Sequence, residues 1–269
     1  MTTPRDTYTH GHHDSVLRSH RWRTVANSAG YLRHHLRPGL ALLDVGCGPG
    51  TLSVDLARHV APGPVLGIDH VDDILDEARR HAAEAGVTTV EFRVGDAYDL
   101  DLADGSFDVV HAHQVLQHVS DPVAVLGELR RVVRDDGVVA ARDADYAGFA
   151  WHPGDPGLDR WLELYQAVAR GNDAEPDAGR RLLGWALDAG FAEVTPSASV
   201  WCHATDEDRA WWSDLWADRI RSSAFAAQAL ERGLTDAEEL EDLAAAWRGW
   251  GASDRGWLAI LHGEVVCRG

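Results

Sequence analysis

Leu42-Leu43-Asp44-Val45-Gly46-Cys47-Gly48-Pro49-Gly50 is the stretch whose reading decides the fold. The apolar run is too short and too closely bounded by glycine for a helix, and it reads as a strand buried on both faces. It passes straight into a turn with three glycines. An amphipathic segment with Leu52, Leu56 and Val60 follows. Strand, glycine turn and helix in that order bring a ligand against backbone at the strand's carboxyl end. Glycine belongs there because a side chain would block the ligand or because φ must be positive.

The glycine spacing separates two cofactor classes. A dinucleotide fingerprint is Gly-x-Gly-x-x-Gly, whereas here Gly46, Gly48 and Gly50 alternate with Cys47 and Pro49. Asp44 stands two residues ahead of the first glycine. A nicotinamide-dependent oxidoreductase is disfavoured on that spacing. Leu43 to Gly50 closely resembles the first motif of class I S-adenosylmethionine (SAM)-dependent methyltransferases. That resemblance implies that Asp44, Gly46, Cys47 and Gly48 cradle the amino-acid end of SAM.

Regular alternation of strand and helix continues outward from this point. Val65 to Asp69 is the second strand, ending in an acid about 20 residues after the glycine turn, the distance at which a carboxylate receives two ribose hydroxyls. A helix N-cap is the bland alternative for Asp69, and His70 is placed in the same pocket. Val90 to Val94 is the third strand, followed by Asp96 and Ala97. The resemblance implies that Asp96 accepts from the adenine amino group and that Ala97 permits close approach. Phe107 to Ala112 is the fourth strand; His113 and Gln114 after it are implied to lie by the methionine part of SAM. His118 and Asp121-Pro122 match the family's motif after that strand, Asp121 and Pro122 opening a helix as N-cap and N1. The matching segments run from Asp44 to Pro122 and resemble small-molecule enzymes of the ubiquinone/menaquinone-biosynthesis type.

Composition narrows the acceptor. The chain has 269 residues, 45% of them hydrophobic, and a formal net charge of −18. Such acidity disfavours binding to phosphate backbones, so a nucleic-acid substrate is not expected. Cys47, Cys202 and Cys267 lie far apart without metal-type spacing, as in a reduced cytoplasmic chain. No apolar run is long enough for a membrane span, and the N-terminus is too polar for a signal peptide.

Before the first strand, Asp14 or Ser15 can cap a helix running to about His35, with Val25, Ala29, Leu32 and Leu36 as its core stripe. His20, Arg23, Thr24 and Asn27 form a polar stripe, either a solvated face or, as the resemblance favours, a cover over the cofactor. Arg23 is on that basis a cofactor contact. His10, His12, His13 and Asp14 fit no standard metal spacing, and no metal is expected. Candidate bases, needed only if the acceptor must lose a proton, are His13, His118 and Tyr8, with Asp143 behind them.

Asp143 and Tyr146 leave the carboxyl end of a fifth strand, Val138 to Ala141, and are expected to line the acceptor pocket. Ten of the 11 tryptophans lie from Trp151 onward. At helical spacing they are more often core or interface than substrate box. Trp212 and Trp216 nevertheless fall in an insertion that covers the acceptor in such folds, which suggests an aromatic or apolar acceptor. A sixth strand reaching about Trp201 pairs with the closing segments Trp257–Ile260 and Glu264–Cys267.

The expected fold is α/β, a Rossmann-like seven-stranded methyltransferase sheet with its last strand antiparallel. It divides into an N-terminal lid and helix (1–37), a SAM-binding core (38–146), and helical cap insertions with closing strands (147–269). The expected function is SAM-dependent methyl transfer to O, N or C of a small metabolite, with S-adenosylhomocysteine (SAH) as product, by a cytoplasmic monomer or homodimer. A SAM-bound cyclisation and a non-catalytic partner subunit are the alternatives.

Overall fold

Alternate side chains of β1 (Leu42–Val45) enter different apolar clusters. Leu42 packs with Leu56, Val60 and Val109, while Leu43 packs with Val110, Leu126 and Leu129. A strand buried on both faces must lie inside a sheet with helices on either side, because period-two alternation sends neighbours to opposite layers. The computed structural model describes residues 6–11 and 13–269. In it β1 lies between β2 (Val65–Asp69) and β4 (Phe107–His113), pairing parallel with both.

The sheet runs β3-β2-β1-β4-β5-β8, with β3 at Val90–Val94, β5 at Val133–Ala144 and β8 at Trp257–Arg268. The first five strands are parallel, and β8 runs antiparallel to β5. On its other side β8 pairs along its length with β7 (Glu193–His203), from Glu193↔Arg268 to His203↔Leu258. The expected sheet with its antiparallel last strand is therefore present. One addition is β6 (Ala150–His152), which continues beyond β5 along β8 and makes an eighth strand. The chain order reverses between β1 and β4, and the crevice at their carboxyl ends is where ligands bind in such sheets.

The strands are joined by α3 (Thr51–Val60), α4 (Asp72–Glu84) and α5 (Pro122–Val132). Asp121 caps α5, its carboxylate accepting from Ala124 N, with Pro122 at the first position as expected. Before the sheet, the single helix expected up to His35 is broken. α1 spans Asp14–Arg21, α2 spans Val25–Ser28, and a 3₁₀ turn covers Gly30–His35. The cause is local: Thr24 and Asn27 form a reciprocal capping box, and Asn27 also donates to the Trp22 carbonyl. The stripe Val25, Ala29 and Leu32 still docks on the sheet. The break leaves Arg23 between the two helices, among residues lining the cavities at the strand ends.

The remaining helices, α6 (Pro156–Arg170), α7 (Leu182–Asp188), α8 (Asp206–Ser222), α9 (Ala224–Glu231) and α10 (Ala237–Ala252), form most of the second half. All but α7 share a core of their own, with Trp161, Trp216, Trp247 and Trp250 fully or almost fully buried. Most of the tryptophan excess is thereby explained as packing.

One buried ion pair pins the added strands to the parallel sheet. Arg142 of β5, 1% exposed, places Nε 3.2 Å from Glu264 Oε1 of β8 and lies 4.8 Å over the Trp201 ring of β7. Glu264 also accepts from Ser197 Oγ at 2.7 Å and Ser199 Oγ at 2.5 Å. Removing one partner of such a pair strands a charge. Glu264→Ala is expected to lose about 3–5 kcal/mol in urea unfolding, whereas Arg142→Met with Glu264→Leu recovers most of it. A loss below about 1 kcal/mol in the single variant would rule out the pinning role.

Candidate functional site

Gly46, Gly48 and Gly50 have φ of 68°, 53° and 73°, the left-handed region that favours glycine. The turn is tied down at once, because Gly46 N and Cys47 N both donate to the Ile68 carbonyl, at 2.7 and 3.0 Å. A Cβ on Gly46 would come within 2.4 Å of Val115 Cγ2, and one on Gly50 within 2.7 Å of Ala78 Cβ. The turn is thus packed from below and open from above. Asp44, 2% exposed, is saturated beneath it by Ser53 Oγ at 2.5 Å and His111 Nδ1 at 2.8 Å. It anchors β1 to α3 and β4, and it also borders the cavity.

A cavity of about 680 Å³ lies over this turn, within the range of ligand sites. Gly46, Cys47, Gly48 and Asp69 line its floor; His70, Asp96 and Ala97 line one side, His113 and Gln114 the other. Asp69 accepts from Gly48 N at 2.9 Å and from Val71 N at 3.2 Å, with His70 Nδ1 3.3 Å away. Burial alone would raise the Asp69 carboxyl. Bonds from His70 and the two amides outweigh it and hold the group below its usual range. The same contact raises His70. Exposed Asp96 is held by Tyr98 N at 2.9 Å. Asp6 and Tyr98, which sequence reasoning did not single out, also line this cavity. The paired acids at the ends of β2 and β3, and backbone that excludes side chains, suit a ligand with hydroxyls and an amine-bearing ring.

The N-terminal segment crosses this cavity. Asp6 accepts from Ser120 N at 3.0 Å, and Tyr8 lines both the large cavity and a smaller inner one of about 30 Å³. His20, Arg23, Gln114 and His118 also border both. Arg23 donates to Gln114 Oε1, and Gln114 Nε2 donates to His262 Nε2 at 3.0 Å, which fixes the amide's orientation. Burial lowers Arg23 to about 10. The inner cavity is further walled by Tyr146, Trp201, Trp212 and Trp216. Tyr146 stacks on Tyr165 at 4.0 Å, and buried His10 places Nε2 3.0 Å from the Tyr165 hydroxyl.

Three expected roles need correction. His13 is exposed and outside both cavities; its Nδ1 accepts from Ser15 N at 3.3 Å and caps α1, a role expected of Asp14 or Ser15. His12, grouped with it in the metal reading, lies outside the described residues. Asp143 is fully buried but lines neither cavity. Its Oδ1 accepts from Gln117 N at 3.0 Å, so it holds the turn Leu116–His118 from beneath, and burial pushes its carboxyl up to about 7.

His118 does line both cavities, but its basic nitrogen is engaged. Gln117 Oε1 accepts from Ala144 N at 3.0 Å, so its amide nitrogen faces His118 Nε2 at 2.9 Å and donates to it. The ring proton therefore sits on Nδ1, which is buried and has no partner among the described residues. Burial, then the Arg23 charge, pulls the ring down to about 3. An imidazole with its basic nitrogen already occupied does not fit the general base expected of it. Tyr8 is pushed up to about 12 by burial, so its hydroxyl also stays protonated. Sequence reasoning missed Gln117, and it missed Arg219, which follows Trp212 and Trp216 at helical spacing on α8 and shares their cavity.

Comparison with known proteins agrees with this geometry. Residues 36–216 match the family described as Methyltransferase domain. An uncharacterised methyltransferase of Schizosaccharomyces pombe is 33% identical, covering 99% of this chain and 98% of that one. A ubiquinone biosynthesis O-methyltransferase of Neisseria meningitidis is 40% identical over 102 residues, 38% of this chain and 42% of that one. The YcgJ protein of Bacillus subtilis superposes with a TM-score of 0.57 at 19% identity, over 96% of this chain and 99% of that one. The chain belongs to the SAM-dependent methyltransferases, with the class I fold and SAM as its methyl donor.

Proposed function

We propose that the chain methylates a small, planar and largely apolar metabolite bound in the inner cavity beneath an N-terminal lid. One observation carries this reading: the cofactor cavity and the aromatic inner cavity share the walls Tyr8, His20, Arg23, Gln114 and His118. A donor on the glycine turn and an acceptor against Tyr146, Trp212 and Trp216 would then face each other across those side chains. When bound, SAM supplies an electrophilic methyl group. The chain's part is to place the two reactants in line and to keep water out.

In this reading Asp69 takes the ribose hydroxyls, Asp96 and Ala97 the adenine, and Arg23 with Gln114 the methionine end. His118, its Nε2 already occupied by Gln117, is a neutral wall of the shared space and does not deprotonate the acceptor. Residues 1–37 form the lid, 38–146 the cofactor core, and 147–269 the cap with the closing strands. A cytoplasmic monomer or homodimer accords with a chain in which, among the described residues, no helix is long and apolar enough to cross a membrane.

Accumulation of SAH in step with a product one methyl heavier, followed by mass spectrometry, is the direct test. Product formed without SAH would instead support a cyclisation on the same fold. Asp69→Ala is expected to weaken SAH binding by about 1.5–3 kcal/mol while the circular dichroism spectrum stays native. Unchanged calorimetric affinity would remove the ribose assignment. Deleting residues 1–13 is expected to leave a folded protein whose turnover falls, because the segment carrying Asp6, Tyr8 and His10 no longer covers the site. Normal kinetics in that variant would remove the lid.

A further inference from the structure

The inner cavity has an electrostatic character opposite to that of the chain. There are 43 acidic and 25 basic side chains in all, yet among the described residues the cavity is lined by two arginines and no carboxylate. Arg23 also borders the cofactor cavity, where the proposed reading gives it the methionine carboxylate. Arg219 has no such assignment.

Arg219 is 4% exposed. Its Nη2 donates to the Ser15 carbonyl at 3.1 Å and to Ser19 Oγ at 3.2 Å, and its guanidinium lies 4.5 Å over the Trp216 ring. Its Nε–H is buried without a hydrogen-bond partner among the described residues. These contacts are all neutral, and among the described residues no carboxylate comes within ion-pair distance of it. The acids of its own helix are engaged elsewhere: Asp214 and Asp218 bind Arg18, at 3.0 and 2.8 Å. A buried cation without a counter-charge is costly to maintain, and an anion entering the cavity would offset that cost. Burial accordingly lowers Arg219 from its ordinary range.

The surroundings restrict which anion fits. One guanidinium with an unpartnered Nε–H, neutral neighbours and its Nη2 already held by Ser15 and Ser19 suits a single negative charge such as a carboxylate. The flat faces of Tyr146, Trp212 and Trp216 suit an unsaturated body. At about 30 Å³ the inner cavity admits no more than a headgroup until the N-terminal segment moves.

We infer that Arg219 anchors the carboxylate of the methyl acceptor, so that the enzyme acts on aromatic or conjugated carboxylic acids. This inference rests on the reading of the inner cavity as the acceptor site. The carboxylate sets the acceptor's orientation through Arg219, while the flat faces of Tyr146, Trp212 and Trp216 align the rest of the molecule.

The test uses the full chain saturated with SAH and follows quenching of its tryptophan fluorescence, since Trp201, Trp212 and Trp216 line the cavity. Matched probes are benzoate against benzamide and cinnamate against cinnamamide. Each acid is expected to bind about tenfold or more tightly than its amide. Arg219→Gln should abolish that preference, and Arg219→Lys, which keeps the charge, should retain part of it. SAH affinity should stay within about twofold in both variants, which also reports that they fold. Equal binding of acid and amide to the wild type overturns the assignment, as does absence of acid binding at millimolar concentration. A preference that survives in Arg219→Gln overturns it too. Should Arg219→Gln fail to fold, the matched probes on the wild type and Arg219→Lys decide. Failure of the wild-type chain to bind SAH is a separate outcome that removes the cofactor reading itself.

Discussion

Three left-handed glycines between β1 and α3 determine where everything else in the site can be. The turn they make is fastened to β2 by two amides on the Ile68 carbonyl and by the Gly48 amide on Asp69. It is wedged against Val115 after β4 and against Ala78 and Phe92, leaving no room for side chains at Gly46 and Gly50. A ligand can therefore approach only from the side where the parallel strands end. The acids at the ends of β2 and β3 and the loop after β4 then fall around it without further instruction, because parallel strands deliver their carboxyl ends to one edge.

Most of that arrangement was legible because it is local. Asp44, Asp69, Asp96, His113 and Gln114 each sit at a strand end that a short apolar run announces, and all five line the cofactor cavity. The acceptor side was not legible in the same way. Asp143 sits at a strand end too, but period-two alternation turns it under the Leu116–His118 turn and away from the cavity. The break at Arg23 depended on a capping box competing with a continuous apolar stripe, and propensity alone does not decide such a contest. His10 and Arg219 meet at one cavity from positions 209 residues apart, and no spacing in sequence encodes that. The tryptophan excess pointed both ways, and both ways apply: Trp161, Trp247 and Trp250 are core, while Trp212 and Trp216 are core and cavity wall together.

The same distance in sequence hides the chemistry of a residue whose motif is legible. His118 lines both cavities, but its protonation depends on Gln117, and Gln117 is oriented by the Ala144 amide of β5. A side-chain amide can face only one way once its oxygen is engaged. That single backbone contact occupies the nitrogen that a base would have to use.

These features together describe a site that controls charge more than it moves protons. Tyr8 stays protonated, His118 stays neutral with its proton on buried Nδ1, and Arg23 and Arg219 bring positive charge into a chain of net charge −18. Methyl transfer from a sulfonium to an anionic nucleophile neutralises both charges as it proceeds, so a dry, low-dielectric site favours it when the nucleophile arrives ionised. A carboxylate anchored on Arg219 would bring in a counter-charge and leave the reacting atom to be aligned by the aromatic walls. Under that arrangement the enzyme's selectivity and its rate depend on the same event, closure of the N-terminal segment over a correctly anchored acceptor, since that closure both excludes water and brings Tyr8 and His10 against the acceptor.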